Sequence, residues 1–205
     1  MPRLNLLPQR LPAGVADRIG RRVGSLGVTA NMISLFGLAG NAFAAFLVTR
    51  EALLWAGIVY LIFSALDFVD GAVARATNTA SPFGAVFDAV LDRTAEALLL
   101  AACAWYFADR GEQVQVVVAY CALFGSVAVS YMRARAEVMG LTMREGIFRR
   151  QERVVLLGVG LVFNGLTVVI WPLAILSNLT ALQRFWLIAK GLRGLDRESP
   201  DERPG

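Results

Sequence analysis

Long, nearly unbroken apolar runs separated by short polar segments dominate the chain. A helix needs about 20 largely apolar residues to cross a bilayer. On that criterion the pattern predicts six spans, over 31–48, 52–76, 84–107, 114–139, 153–171 and 172–189. The expected fold is therefore an all-α integral membrane domain covering residues 1–190. The fifth and sixth runs meet at Trp171-Pro172, and the boundary is placed there because a residue preceding proline is turned away from helical geometry.

Ahead of the first span, residues 8–25 read as an amphipathic helix. Leu11, Val15, Ile19 and Val23 recur four apart, while Asp17, Arg18, Arg21 and Arg22 fall mostly on other faces. Its expected place is the membrane interface, an ordinary helix packed on the bundle being the alternative. The closing stretch, 191–205, ends in charged, proline-containing sequence and is expected to be disordered. No internal repeat is evident.

Charge orients the spans. With both termini in the cytoplasm, Arg3, Arg10, Arg18, Arg21, Arg22, Arg75, Arg93, Arg133, Arg135, Arg144, Arg149, Arg150, Arg153, Arg184, Lys190, Arg193, Arg197 and Arg203 fall inside, and only Arg50 and Arg110 outside. This asymmetry is what the positive-inside rule describes, and it puts the Asp-rich segment on the cytoplasmic side of a cell membrane. Trp55, Trp105, Trp171 and Trp186 lie near predicted helix ends, where aromatic belts belong.

Composition supports the same picture. Of 205 residues 57% are hydrophobic, above the ~45–50% of soluble domains. The net charge of +4 does not point to nucleic acid, because the basic residues sit between apolar runs, where they meet head groups or an anionic substrate. With no histidine, His-based nucleophiles and His-ligated zinc are excluded. Cys103 and Cys121 lie inside apolar runs at no metal-ligand spacing and read as reduced packing residues.

Against this background stands DFVDGAVARATNTASPFGAVFDAVLDR, residues 67–93. Asp67 and Asp70 are three apart and Asp88 and Asp92 four apart, so each pair projects from one face of its helix. A turn between them folds the helices into a hairpin with the carboxylates facing one another. Four desolvated like charges are costly unless a counter-charge joins them, and a hard divalent cation, Mg2+ or Mn2+, suits an all-carboxylate donor set. Surface ion pairs with Arg75 and Arg93 are the plainer alternative. Gly71 leaves the helix backbone approachable, and Arg75, one turn on, can clamp a phosphate bidentately. Together these residues describe a diphosphate site.

The spacing Asp67-x2-Asp70-Gly71-x2-Ala74-Arg75-x8-Gly84-x3-Asp88-x3-Asp92 resembles, without departure, the signature of the CDP-alcohol phosphotransferase family. That resemblance implies a six-helix membrane enzyme, usually a homodimer, which uses divalent metal, two ions in number, to transfer a phosphatidyl or related group from a CDP-linked lipid, here CDP-diacylglycerol, to an alcohol, and releases CMP. It implies that Asp67, Asp70, Asp88 and Asp92 hold the metals, that Asp92 also takes the hydroxyl proton, and that Gly71, Arg75 and Ser81 meet the nucleotide. The start of the first span also contacts the nucleotide in the family. Where relatives commonly carry Thr-Pro-Asn or Thr-Pro-Asp, this chain has Thr29-Ala30-Asn31, leaving Ala30, Asn31, Met32 and Ile33 as its counterparts.

For the acceptor, Ser130, Arg133 and Glu137 place polar groups on one face of the fourth span, and Arg133, Arg135, Arg149, Arg150 and Arg153 cluster at its cytoplasmic end. Positive-inside topology accounts for part of this cluster, and a phosphate pocket for more of it. The runs Ser130-Tyr131-Met132-Arg133-Ala134-Arg135-Ala136-Glu137 and Arg149-Arg150-Gln151-Glu152-Arg153 resemble the actinobacterial branch that makes phosphatidylinositol phosphate. Arg133 stands there for a lysine, and Arg149 and Gln151 for a glutamate and a proline. The expected acceptor is inositol 1-phosphate, with glycerol 3-phosphate next. An intramembrane prenyltransferase and a divalent-cation transporter are the alternatives from other classes. Gly40 and Ala44, four apart, are a candidate dimer seam.

Overall fold

The computed structural model describes residues 13–25, 27–77, 79, 81–141 and 146–198. The first residues of the predicted amphipathic helix (8–12), Arg144 and residues 199–205 lie outside these. Among the described residues the fold is entirely helical: α1 Ala13–Gly24, α2 Ala30–Thr49, α3 Leu53–Ser64, α4 Asp67–Ala76, α5 Pro82–Asp109, α6 Gln113–Val138, α7 Arg150–Val162 and α8 Leu166–Glu198.

Local chemistry sets the boundaries. Thr29 caps α2 by accepting from the Met32 N–H at 3.3 Å, and Ser81 caps α5 by accepting from the Gly84 N–H at 3.0 Å, with Pro82 opening the helix. Glu152 accepts from the Arg149 N–H at 2.9 Å and closes the start of α7. The left-handed turns at Glu51 (φ 58°) and Gly111 (φ 70°) reverse the chain after α2 and α5.

Four stretches are long and apolar enough to cross a membrane by length and composition: 30–49, 53–76, 113–138 and 166–193. The second is interrupted only at Ala65-Leu66, where the Leu66 N–H donates to Phe63 O and the Val69 N–H to Leu66 O, so the chain tightens and resumes as α4 at Asp67. α5 has the length of a span, but Asp88, Asp92, Arg93 and Glu96 interrupt its apolar character.

Two boundaries differ from the sequence expectation. The turn between the last two helices is at Phe163-Asn164-Gly165, and Pro172 lies inside α8. Asn164 adopts a left-handed conformation (φ 53°) and the Gly165 N–H donates to Gly160 O at 2.7 Å, which ends α7. The segment 191–198, expected to be disordered, continues α8. It contains no proline, and the helix runs through Gly191 and Gly194 to Glu198.

The dry core gathers Ala44, Val48, Leu53, Ala56, Leu99, Cys103, Phe107, Leu157, Leu161, Leu166 and Ile170. These residues lie toward the 50–52, 110–112 and 163–165 turns, so packing is tightest at the end away from Asp67–Asp92. Phe36, Phe43, Trp55, Trp105, Phe124, Phe163, Trp171 and Trp186 instead face outward, as expected of lipid-facing positions. Gly40 and Ala44 serve the interior rather than a dimer seam: both are buried, and a side chain at residue 40 would run into the Phe63 ring. α1 packs on α4, and the approach is close because Gly20 has no side chain; a Cβ there would stand 2.6 Å from Ala72 O.

Candidate active site

α2 packs against both α4 and α5, while α4 and α5 barely touch each other. The expected hairpin is therefore an open cleft with α2 as its floor. A cavity of about 220 Å3 fills it, lined by Asp70, Gly71, Ala74, Arg75 and Thr79 from the α4 side, by Ser81, Gly84, Ala85 and Asp88 from α5, and by Ala30, Asn31 and Ser34 from α2. Residues separated by more than fifty positions in sequence meet there.

All four aspartates stand within electrostatic reach of one another, but they are held as two pairs. Ser34 Oγ lies 2.9 Å from Asp70 Oδ2 and 3.3 Å from Asp88 Oδ1. The Arg150 guanidinium bridges the other pair, Nη1 to Asp67 Oδ2 at 2.5 Å and Nη2 to Asp92 Oδ1 at 3.0 Å. Arg150 opens α7, ahead of its apolar run. Burial works against its charge, yet the Asp92 and Asp67 carboxylates outweigh that and hold the guanidinium above its ordinary pKa.

The ion pairs proposed from sequence as the plainer alternative do not form as expected. Arg93 donates to Ala89 O of its own helix, and Arg75 is exposed at the cavity rim. A Cβ on Gly71 would stand 3.3 Å from Arg75 Nη1, so the missing side chain is what lets the guanidinium lie over the start of α4. Gly84 plays the same part opposite, where a Cβ would meet Ser81 Oγ at 3.2 Å and Asn31 Oδ1 at 3.5 Å.

A hard divalent cation suits the donor set, which is all oxygen, and the guanidinium between Asp67 and Asp92 marks a place where a positive charge is accommodated. As they stand, no three metal-ligating side chains among the described residues converge on one point. Arg150 and Ser34 hold the carboxylates in separate pairs.

One turn deeper is a second cation–carboxylate contact. Arg153 pairs bidentately with Glu96, Nε to Oε1 at 2.6 Å and Nη2 to Oε2 at 3.0 Å, and its Nη1 is buried without a hydrogen-bond partner. Arg133 pairs with Glu137 at 2.9 Å on the exposed face of α6, and Arg135 is exposed. Ser130 is half-buried.

Of the residues expected at the nucleotide site, Ala30, Asn31, Gly71, Arg75 and Ser81 line the cavity; Met32, 57% exposed, and Ile33, buried, do not. Ser34 and Arg184 were missed from sequence. Ser34 is the hydroxyl at the third position after Asn31, unremarkable in an apolar run. Arg184 on α8 is buried, donates to Val129 O at 2.7 Å, and lies within electrostatic reach of Arg133, Arg149 and Arg153. An arginine inside the last apolar run was its only sequence signal.

An all-helical bundle with long apolar stretches and a cleft lined by aspartates suits a membrane enzyme that handles a charged group. Residues 27–190 match the model of the family described as CDP-alcohol phosphatidyltransferase, and the chain belongs to that family. It is thus a multi-pass membrane enzyme of phospholipid synthesis, and membership does not favour the prenyltransferase or transporter alternatives. Among its relatives, archaetidylinositol phosphate synthase of Pyrococcus horikoshii is 35% identical over 177 residues, covering 86% of this chain and 92% of that one. Phosphatidylinositol phosphate synthase of Mycobacteroides abscessus is 32% identical over 200 residues, covering 93% and 91%. The crystal structure of the Mycobacterium tuberculosis phosphatidylinositol phosphate synthase with CDP-DAG bound superposes with a TM-score of 0.79 at 27% identity, over 85% of this chain and 94% of that one. The same enzyme in complex with manganese and citrate superposes at 0.76, with 28% identity, over 84% and 88%.

Proposed function

We propose that the protein transfers the phosphatidyl group of CDP-diacylglycerol to inositol 1-phosphate and releases CMP. The observation that carries this is the cavity in which the Asp70 and Asp88 carboxylates meet Gly71, Arg75, Asn31 and Ser81. Its parts suit a nucleoside diphosphate: Arg75 can clamp a phosphate, and two glycines leave room for it. The crystallised relative's own CDP-DAG supports the donor assignment.

For the acceptor, the named relatives differ in the lipid part of their names but share inositol phosphate. The unpartnered Arg153 Nη1, fixed by Glu96, is a buried donor that an anionic ligand satisfies. Ser130, Arg133, Arg149, Arg153 and Arg184 form the phosphate subsite in this proposal, with Arg135 at its exposed edge.

Asp67, Asp70, Asp88 and Asp92 would hold the metal, as Mg2+ or Mn2+ and as two ions; the relative's manganese complex supports a divalent ion. When bound, divalent metal neutralises the diphosphate and stabilises the departing CMP. The acceptor hydroxyl oxygen attacks the lipid-side phosphorus and forms the new P–O bond. The bond from that phosphorus to the diphosphate bridging oxygen breaks, and CMP leaves with that oxygen and its electron pair. Asp92 accepts the hydroxyl proton, geometry compensating for a weak base. Transfer is direct, so isolating a phosphatidylated enzyme without acceptor would refute this step.

The active site and both termini face the cytoplasm, α1 lies in the interface, and six helices cross the bilayer in this reading. The homodimer that the resemblance implies belongs to it too, with a seam elsewhere than Gly40 and Ala44. The test is CMP release by purified protein from CDP-diacylglycerol with inositol 1-phosphate, glycerol 3-phosphate or inositol as acceptor. Turnover only with inositol 1-phosphate is expected; preferred turnover of either other acceptor overturns the assignment.

A further inference from the structure

α5 and α7 face each other through two stacked contacts. Asp92 and Glu96, four apart on α5, meet Arg150 and Arg153, three apart on α7. The two contacts differ in access. The Glu96 and Arg153 side chains are 7% and 3% exposed, whereas Asp92, Asp67 and Arg150 are 18%, 23% and 28% exposed. The deeper pair is sealed and fixes α7 against α5; the outer one opens toward the cleft.

Arg150 pairs with two of the four aspartates, and its two terminal nitrogens occupy the space between Asp67 Oδ2 and Asp92 Oδ1. A divalent ion drawing on those oxygens needs them at about 2.0–2.2 Å, inside the distances at which the guanidinium nitrogens now stand. Two cations side by side would repel, and the guanidinium is the one on a flexible stem.

We propose that Arg150 is a displaceable counter-cation: it neutralises Asp67 and Asp92 in the metal-free enzyme and must swing off them before metal occupies that position. This rests on the proposed metal-dependent transfer. The arrangement explains how an aspartate cluster remains folded in an apolar bundle before metal arrives. It also explains why Arg150 Nε has no partner where it lies: the bridging pose uses only the terminal nitrogens.

The test is Mn2+ binding to the purified, substrate-free protein, followed by the electron paramagnetic resonance of free Mn2+, together with thermal unfolding in detergent. Arg150→Gln removes the competing cation. Its Mn2+ dissociation constant is expected to fall roughly ten-fold, the scale of one partly exposed charge-assisted hydrogen bond, while its metal-free unfolding temperature drops and Mn2+ restores it. Arg150→Lys, which keeps charge but cannot bridge both carboxylates, is expected to fall between and guards against a glutamine variant that fails to fold. Unchanged or weaker Mn2+ binding in either folded variant overturns the proposal while leaving the functional assignment in place. A wild-type protein that binds no Mn2+, or whose binding survives Asp70→Asn with Asp88→Asn, overturns both.

Discussion

Ser34 has one hydroxyl proton and three acceptors within reach, Asp70 Oδ2, Asp88 Oδ1 and Ala30 O. Whichever it serves, its position on α2 ties together carboxylates from two helices that otherwise barely meet. Partners of this kind cost about 10–100-fold in metal affinity when removed. Ser34→Ala should therefore raise the Mn2+ concentration giving half-maximal CMP release by that order, and Ser34→Thr should restore it; an alanine variant with an unshifted metal requirement would dismiss the positioning role. Asp92→Asn should reduce transfer by at least about 100-fold, the contribution of a positioned base, with the unfolding temperature held or raised. An active Asp92→Asn enzyme would remove the base assignment. That the aspartates gather beside Gly71 and Arg75 was legible in sequence, because it follows from spacing along two helices. Ser34 and Arg150 were not, since the choice between a surface, an acceptor pocket and a carboxylate pair is made by helices far apart in the chain.

At the scale of elements, α7 packs on α3 and α8, and the buried Glu96–Arg153 pair ties it to α5. Removing one partner of a buried pair leaves an uncompensated charge and costs about 3–5 kcal/mol, whereas replacing both by apolar side chains of similar volume is often neutral. Glu96→Gln should accordingly lower the thermal unfolding temperature sharply, and Glu96→Leu with Arg153→Met should recover most of the loss while leaving transfer abolished. Equal stability of Glu96→Gln and wild type would show that the pair is not structural. Helix existence was readable from the apolar runs, but not every boundary was. Trp171-Pro172 reads as a boundary from the chain alone, yet α8 carries Pro172 in its interior and the left-handed Asn164 ends α7. The break at Ala65-Leu66 has no breaker residue at all; one tightened turn suffices.

Across the described residues, the tightest apolar packing and the buried charges lie toward opposite ends, while Glu51, Arg110 and Glu112 pair at the surface of the apolar end. The dry core lies toward the 50–52, 110–112 and 163–165 turns, and the aspartates, Arg133, Arg149, Arg150, Arg153 and Arg184 lie toward the other end. Such a division suits an enzyme that draws a lipid-linked donor from the bilayer and a charged acceptor from water. It also predicts topology, because arginines near span ends are retained on the cytoplasmic side. In a Cys103→Ser, Cys121→Ser background, Asp109→Cys and Arg193→Cys put single thiols at exposed positions on opposite ends of the bundle. A membrane-impermeant maleimide applied to intact bacterial spheroplasts expressing these variants should label the first, and reach the second only after the membrane is opened. The inverse pattern would turn the active site outward and separate it from the cytoplasmic supply of CDP-lipid and sugar phosphate that the proposed reaction requires.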